Sequence, residues 1–437
     1  MNDDRQQWIA DLAERDDPSK RYGAAQQLGR LGAEILPTLV DLIKNDSARR
    51  EGAAHALAHV RDDEATAPVI IALLGDGRDS VRGVVASALE EMGDREDLTN
   101  ALHNAFNNEP DAGIKGLVML HMSPDQLYPL LDSILALGED EDSGLQDMVA
   151  EVLGEKMSYA AGVTDEDKER MAKMLAKLMR DEKTQFQASR SIRFTNHPSI
   201  AEDLVALYDD LTQVSQGYVM DVLAYMDSPA VDDKLWQILQ ASIAEGAINH
   251  QVLSTMILRG DPQVEAIVVL TLRDSDWRLR SRVADGFRYG EHTFPALVDD
   301  LASLMLDEYE ADIDIKALRP LIVALVYAGR AEAMPHLAPL LQSDDTDLLY
   351  TIAQILWGME DAFIVPTITP LTRYTDEQVA TTALNALGST RHADAIAPLK
   401  AVLEGDNPDR QKTAAGMLRR LKLPEADAIL KQWNNQE

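Results

Sequence analysis

The sequence predicts an all-α fold, a solenoid of about thirteen helix–turn–helix units, and three observations predict it. First, an apolar anchor recurs at Leu28, Leu57, Leu89, Leu120, Leu153, Ile192, Leu223, Leu258, Phe287, Leu325, Leu356, Leu387 and Leu418. The mean step is about 32 residues, the length of one such unit. Second, four residues before the anchors stand Ala24, Ala53, Val85, Gly116, Val149, Ala188, Val219, Ser254, Val283, Leu321, Ile352, Ala383 and Ala414. Residues four apart share one helix face, so each unit carries one buried stripe, with small residues for close packing. Third, Pro37, Pro68, Pro129, Pro295, Pro335, Pro366 and Pro398 recur 8–11 residues after an anchor. Proline is tolerated in a first helical turn, where its missing N–H has no intrahelical partner.

Taken in order, each unit offers a first helix and then the anchor helix. "PTLVDLI", "PVIIALL", "PALVDDLASLM", "PHLAPLL" and "PLKAVL" are first helices, and each runs into a turn rich in Asp, Asn, Gly or Ser. The alternation of strands is absent. Two anchor spacings are long, 39 residues from Leu153 to Ile192 and 38 from Phe287 to Leu325. They contain "EKMSYAAGVTDEDKERMAKMLAKLMRDE" and "DEYEADID", read as lengthened turns or helices on the solvent side. Taken as boundaries of sub-arrays, they divide one continuous solenoid into residues 1–138, 139–298 and 299–437.

The totals narrow the chemistry. At 437 residues the chain is long for one ordinary core, a limit that a repeat array escapes because each unit packs only on its neighbours. The formal charge of −33 opposes broad contact with nucleic acid or an anionic membrane and favours a basic partner. The absence of cysteine removes disulfides, thiol nucleophiles and Cys-ligated metals. "MNDDRQQWIADLAERDD" has acids where a secretory leader needs bases, so a cytoplasmic protein is expected.

"DPSKRYGAAQQLGRLG" (17–32), "ARREGAAHALAHVRD" (48–62), "DSVRGVVASALEEMGD" (79–94) and "DEQVATTALNALGS" (376–389) resemble the HEAT-repeat family, in the short form of phycobilin-lyase-type repeats. The likeness is best at both ends and weak across 139–180 and 299–320. It implies HEAT-like repeats forming a curved superhelix, with the anchor helix of each unit on the concave side. The tetratricopeptide pattern of Trp, Gly, Tyr and Pro is not met. Seven residues before four anchors stand Arg21, Arg50, Arg82 and Arg280, and Gln146, Gln185, Gln216 and Gln251 take that place in the middle units. The resemblance implies an arginine–aspartate ladder between units, with Asp17, Asp79 and Asp276 suitably placed.

One unit exceeds the pattern. "RDSDWRLRSRVADGFRYG" (273–290) packs five arginines among aromatics in an acidic chain. Trp277, Arg278, Arg280, Arg282, Arg288 and Tyr289 are the candidate partner-binding residues, able to grip a phosphate, a carboxylate or an extended peptide. The competing reading is a ladder arginine plus surface charges paired with Asp274, Asp276 and Asp285. Glu51, His55 and His59 fall on one helix face, but no further metal ligand is identifiable, and an ordinary helix face is expected. "GEDEDSGLQD" (138–147) lacks the order of a calcium loop and reads as a solvated turn. Trp357 follows its anchor where Gly29 and Gly388 follow theirs, and is expected to fill a wider gap in the core.

No catalytic residue, cofactor or metal is assigned. The expected function is a non-enzymatic interaction scaffold or adaptor holding a basic protein or peptide on its surface. The alternatives are a HEAT-like enzyme, such as a bilin lyase or a protein like DNA-repair glycosylases, or an acidic mimic of nucleic acid. A relation to deoxyhypusine hydroxylase fails because none of the nine histidines is followed by Glu.

Overall fold

Every one of the thirteen anchors lies in a helix. In the computed structural model the anchor helices are α1 (Pro18–Gly29), α2 (Arg50–Ala58), α3 (Asp79–Met92), α4 (Ala112–His121) and α5 (Gln146–Glu151, prolonged by a π turn over Val152–Lys156). There follow α6 (Gln185–Thr195), α7 (Gln213–Leu223), α8 (His250–Leu258), α9 (Trp277–Tyr289), α10 (Ile315–Gly329), α11 (Thr346–Leu356), α12 (Glu377–Ser389) and α13 (Pro408–Leu421). The structure describes residues 2–92, 96–274, 276–311, 314–357, 359 and 361–434. Ser275, Asp312 and Ile313, and the end of the 79–94 motif at Gly93 and Asp94, lie outside the described residues. No strand occurs among the described residues, and no described helix is long and apolar enough to cross a membrane.

The starts of these helices are written in the sequence. Asp17, Asp111, Thr212, Asn249, Asp276, Asp314, Asp345, Asp376 and Asn407 each accept a hydrogen bond from a first-turn N–H. Such side chains satisfy donors that the helix leaves orphaned. The stripe then buries as expected. All the anchors are buried except Leu120 and Leu258, and all the residues four places earlier except Ser254. Small residues earn their place by contact. A Cβ at Gly286 would lie 2.7 Å from the Ser254 carbonyl oxygen, and one at Gly154 would lie 2.6 Å from that of Ser191.

The first helices begin mostly where the prolines stand. Pro37 and Pro366 lie in first turns, and Pro129 and Pro295 lie in short 3-10 turns that lead into Leu131–Glu139 and Val298–Glu310. Pro68 differs. It lies inside Asp63–Leu74, because Asp62 caps that helix through the Ala65 N–H a turn earlier than the proline suggests.

The chain forms two compact units, Met1–Val231 and Asp232–Glu437. This single division falls within the expected central segment 139–298. Inside each unit, successive helices stack as a solenoid: α1 to α4 and α5 to α7 in the first, α8 to α13 in the second.

The column seven residues before the anchors does a different job from the implied ladder. Arg50 donates to the Ile43 carbonyl at 2.7 Å, Arg82 to Asp76 at 2.9 Å, Gln146 to Asp140 at 2.5 Å and Gln216 to Tyr208 at 3.0 Å. Gln185 donates to Met179 at 3.4 Å, and Gln411 to Gly405 at 2.6 Å. Each side chain reaches back to carbonyls at the end of its own unit's first helix, which have no partner within that helix. Arginine and glutamine both suit this, because each presents N–H donors. Links to the next unit run to glutamate: Arg21 to Glu51 at 3.1 Å, Arg82 to Glu109 and Arg280 to Glu308 at 2.7 Å each. Of the expected aspartates, only Asp79 pairs with its arginine, within one helix at 2.7 Å; Asp17 and Asp276 serve as N-caps.

Candidate functional site

Helix α9 is fixed from below. Asp276 caps it, and Arg280, Val283, Ala284, Gly286 and Phe287 form its buried face. That face packs between α8 and α10, and Phe287 sets its edge against Phe294 at 5.3 Å between ring centres. What remains outward is a stripe of Arg278, Arg282, Asp285 and Tyr289, flanked by Trp277 and Arg288. Residues four, seven and eleven apart return to one side of a helix.

Two of the three outward arginines lie over aromatic rings. The Arg278 guanidinium lies 5.2 Å from the centre of the Trp277 ring, and that of Arg288 lies 5.6 Å from Tyr289. Trp277 is 39% exposed and Tyr289 65%. Among the described residues, no carboxylate pairs with Arg278, Arg282 or Arg288. This disfavours the competing reading of surface ion pairs: Asp276 caps the helix instead, and the Asp274 carboxylate accepts the Asp276 N–H at 2.8 Å.

Arg280 departs from the expected set. It is 3% exposed, donates to the carbonyls of Asp274 and Ala317, and pairs with Glu308. Its guanidinium ties α9 to the preceding and following elements and does not face a partner. The neighbouring helix adds residues that the sequence reading missed. Arg319 of α10 is exposed, and the Arg330 guanidinium lies 5.4 Å from the Tyr327 ring. Tyr327 stands two residues after its anchor, as Tyr289 does, so reading that outward column would have found it.

The charges near this face leave their mark. Burial pushes the Asp285 carboxyl above the usual range, while Arg288 and Arg319 pull it back. Burial lowers the His250 imidazole, against the pull of Asp274, with Arg282 lowering it further.

The other candidates are occupied by their own contacts. His55 and His59 share the carboxylate of Glu91, at 2.8 and 3.3 Å, and Glu51 pairs with Arg21. Among the described residues no cluster of His, Asp and Glu is arranged to hold a metal ion. The 138–147 turn is organised internally, with Ser143 donating to the Leu137 carbonyl at 3.0 Å. Trp357 does not fill the core: it is 44% exposed, because α11 ends at Leu356 and the next residue leaves the buried stripe. A cleft in the first unit is lined by Arg82, Asn104, Asn108 and Glu109, where arginine and glutamate satisfy each other. That unit also exposes Tyr159, Phe186 and Tyr225, a set that the sequence reading passed over.

Residues 6–90 and 334–419 match the family model of HEAT repeats. These two segments are HEAT repeats. The matched HEAT repeats hold α1 to α3 and α11 to α13, where the sequence likeness is also best. The match is to HEAT repeats as such and does not extend to the phycobilin-lyase subtype. No curated protein matches the chain. Among solved structures, an engineered protein from a structural-genomics programme is 17% identical, over 96% of this chain and 99% of that one, with a TM-score of 0.32. A homology model of the full-length AP-3 complex in an intermediate open conformation is 13% identical, over 99% of this chain and 89% of that one, with a TM-score of 0.45.

Proposed function

We propose that this protein is a non-enzymatic cytoplasmic scaffold or adaptor that holds a basic protein on its solenoid surface. HEAT repeats generally mediate protein interactions, and stacked units offer a long continuous surface. The net charge of −33 carries the choice of partner. A field of that sign steers basic surfaces inward and raises their rate of encounter.

The test is affinity capture from native extract across a salt series, with the recovered proteins identified and their net charges compared. A basic protein retained at low salt and released as salt rises supports the proposal, because screening shortens the reach of exposed charges. Recovery of acidic proteins only, or retention indifferent to salt, overturns the choice of a basic partner. Recovery of none overturns the scaffold function itself.

A further inference from the structure

We infer that the outward face of α9 and α10 is a second docking site, which takes an acidic, extended peptide segment on Arg278, Arg282, Arg288 and Arg319. The inference rests on the scaffold function proposed above and adds a site of opposite charge preference.

The chain has 74 acidic and 41 basic residues, so an arginine has ample internal carboxylates to choose from. Arg82, Arg259, Arg280 and Arg410 each pair with one, at 2.7, 2.5, 2.7 and 2.9 Å. Among the described residues the four outward arginines of α9 and α10 pair with none. Two of them lie over Trp277 and Tyr289 at cation–π distance, which limits the guanidinium before any ligand arrives and lowers the ordering cost of binding. A planar guanidinium held on a ring offers its fork of N–H donors to a carboxylate.

The spacing suits an extended chain. Arg278 and Arg282 are four residues apart on a helix, a rise of about 6 Å. Alternate side chains of an extended peptide recur about every 6.6 Å on one side. Successive carboxylates of an alternating segment would therefore meet successive arginines, while its backbone lies against the exposed rings. A long nucleic acid fits less well. Four cations on two helices would have to hold a polyanion against a protein of net charge −33.

The probe is a fluorescein-labelled peptide of alternating Glu and Gly, about eight residues long with a two-residue repeat, read by fluorescence anisotropy with the full chain. Saturable binding that weakens with salt is expected, and R278E/R282E should weaken it by about tenfold or more. R193E is the control outside the site, with half the charge change of the double variant, and R278E alone is its equal-charge counterpart. Arg193 lies in the first unit, with its guanidinium 4.7 Å from the Phe194 ring centre and 5.8 Å from that of Tyr218. R193E should leave the affinity within about twofold, the range of a single exposed charge. Far-UV circular dichroism checks that each variant keeps its helices.

The inference is overturned by no saturable binding at low salt, by equal loss in R193E and R278E/R282E, or by inorganic phosphate displacing the peptide at equal charge. It is also overturned if single-stranded oligothymidylate binds the same arginines more tightly than the peptide. If the extract yields a salt-sensitive basic partner but the acidic peptide does not bind, the scaffold function stands and the second site falls. If the peptide binds through these arginines but no basic partner is recovered, the second site stands and the choice of a basic partner falls.

Discussion

Arg82 and Glu109 form a buried two-point ion pair between neighbouring units. The Arg82 Nε and Nη2 donate to the two Glu109 carboxylate oxygens at 2.7 and 2.8 Å. The same guanidinium also caps the Asp76 carbonyl and reaches Asp79, while Glu109 accepts the Asp111 N–H at 3.0 Å. One side chain thus closes a helix end, and its partner holds the next unit in register.

Removing Glu109 leaves a buried guanidinium with part of its charge uncompensated. Glu109→Ala should therefore cost about 3–5 kcal/mol, the usual loss on breaking a buried pair. Urea unfolding together with hydrogen exchange of α3 and α4 measures it, since a repeat array can open locally. The pair also sets a pH dependence. The Arg82 guanidinium and the Asp111 N–H hold the Glu109 carboxyl below its ordinary value, against its burial. A carboxyl with a lowered folded pKa stabilises above its unfolded pKa of about 4.3 and loses that contribution as pH falls through the folded value. Glu109→Gln should remove this part of the acid dependence. An unchanged acid profile would place the stability elsewhere.

Two glycines separate close packing from open helix. Gly154→Ala should destabilise by about 1–3 kcal/mol, because its methyl would press on the Ser191 backbone between α5 and α6. Gly416 of α13 has no neighbour within 4 Å of an added methyl. Gly416→Ala should stabilise by about 0.5–1 kcal/mol through helix propensity alone. Thermal unfolding of the pair decides this, and a shift of the same sign in both would refute the packing difference.

The helical solenoid was legible because its signals are local and repeated. Anchors, the small residues before them, and Asp or Asn caps all act within a turn or two, so each unit restates the last. What the sequence left open depends on which side chain reaches which backbone across tens of residues. Arg280 and Arg278 are two places apart and of one type, yet one is buried against Glu308 and the other lies on Trp277. Helix phase separates them: Arg280 is seven residues before its anchor and shares the buried side, whereas Arg278 does not. The glutamates that complete the inter-unit pairs, 27 and 28 residues on, obey no fixed local spacing, and so aspartates near each helix start were the expected partners. Arg319 and Tyr327 join the site only because α10 packs beside α9.

That difference gives a paired test. Arg280→Ala should cost about 3–5 kcal/mol by stranding Glu308 and uncapping the Asp274 carbonyl. Arg278→Ala should stay within about 0.5 kcal/mol, as for an exposed residue with no buried partner. Thermal unfolding of the two single variants reads the contrast directly. Equal losses would mean that Arg278 is also part of the framework, and its variants could then not serve as binding probes.

Asp285 is the carboxylate that shares the stripe with Arg278 and Arg282, so it competes with any acidic ligand for their charge. Burial raises its pKa, with Arg288 and Arg319 opposing, so its ionised form is held at a cost at neutral pH. Asp285→Asn removes that negative charge while keeping the shape. The acidic peptide should then bind about two- to fivefold more tightly, the scale of one partly exposed charge. The sign of the pH effect follows from the raised pKa. As pH falls through it, wild-type Asp285 becomes neutral, and the advantage of the asparagine variant should shrink toward nothing. Anisotropy titrations from neutral to mildly acidic pH with both proteins measure this. A gain that persists unchanged, or a weaker affinity in Asp285→Asn, would show that the carboxylate supports the ligand rather than competing with it.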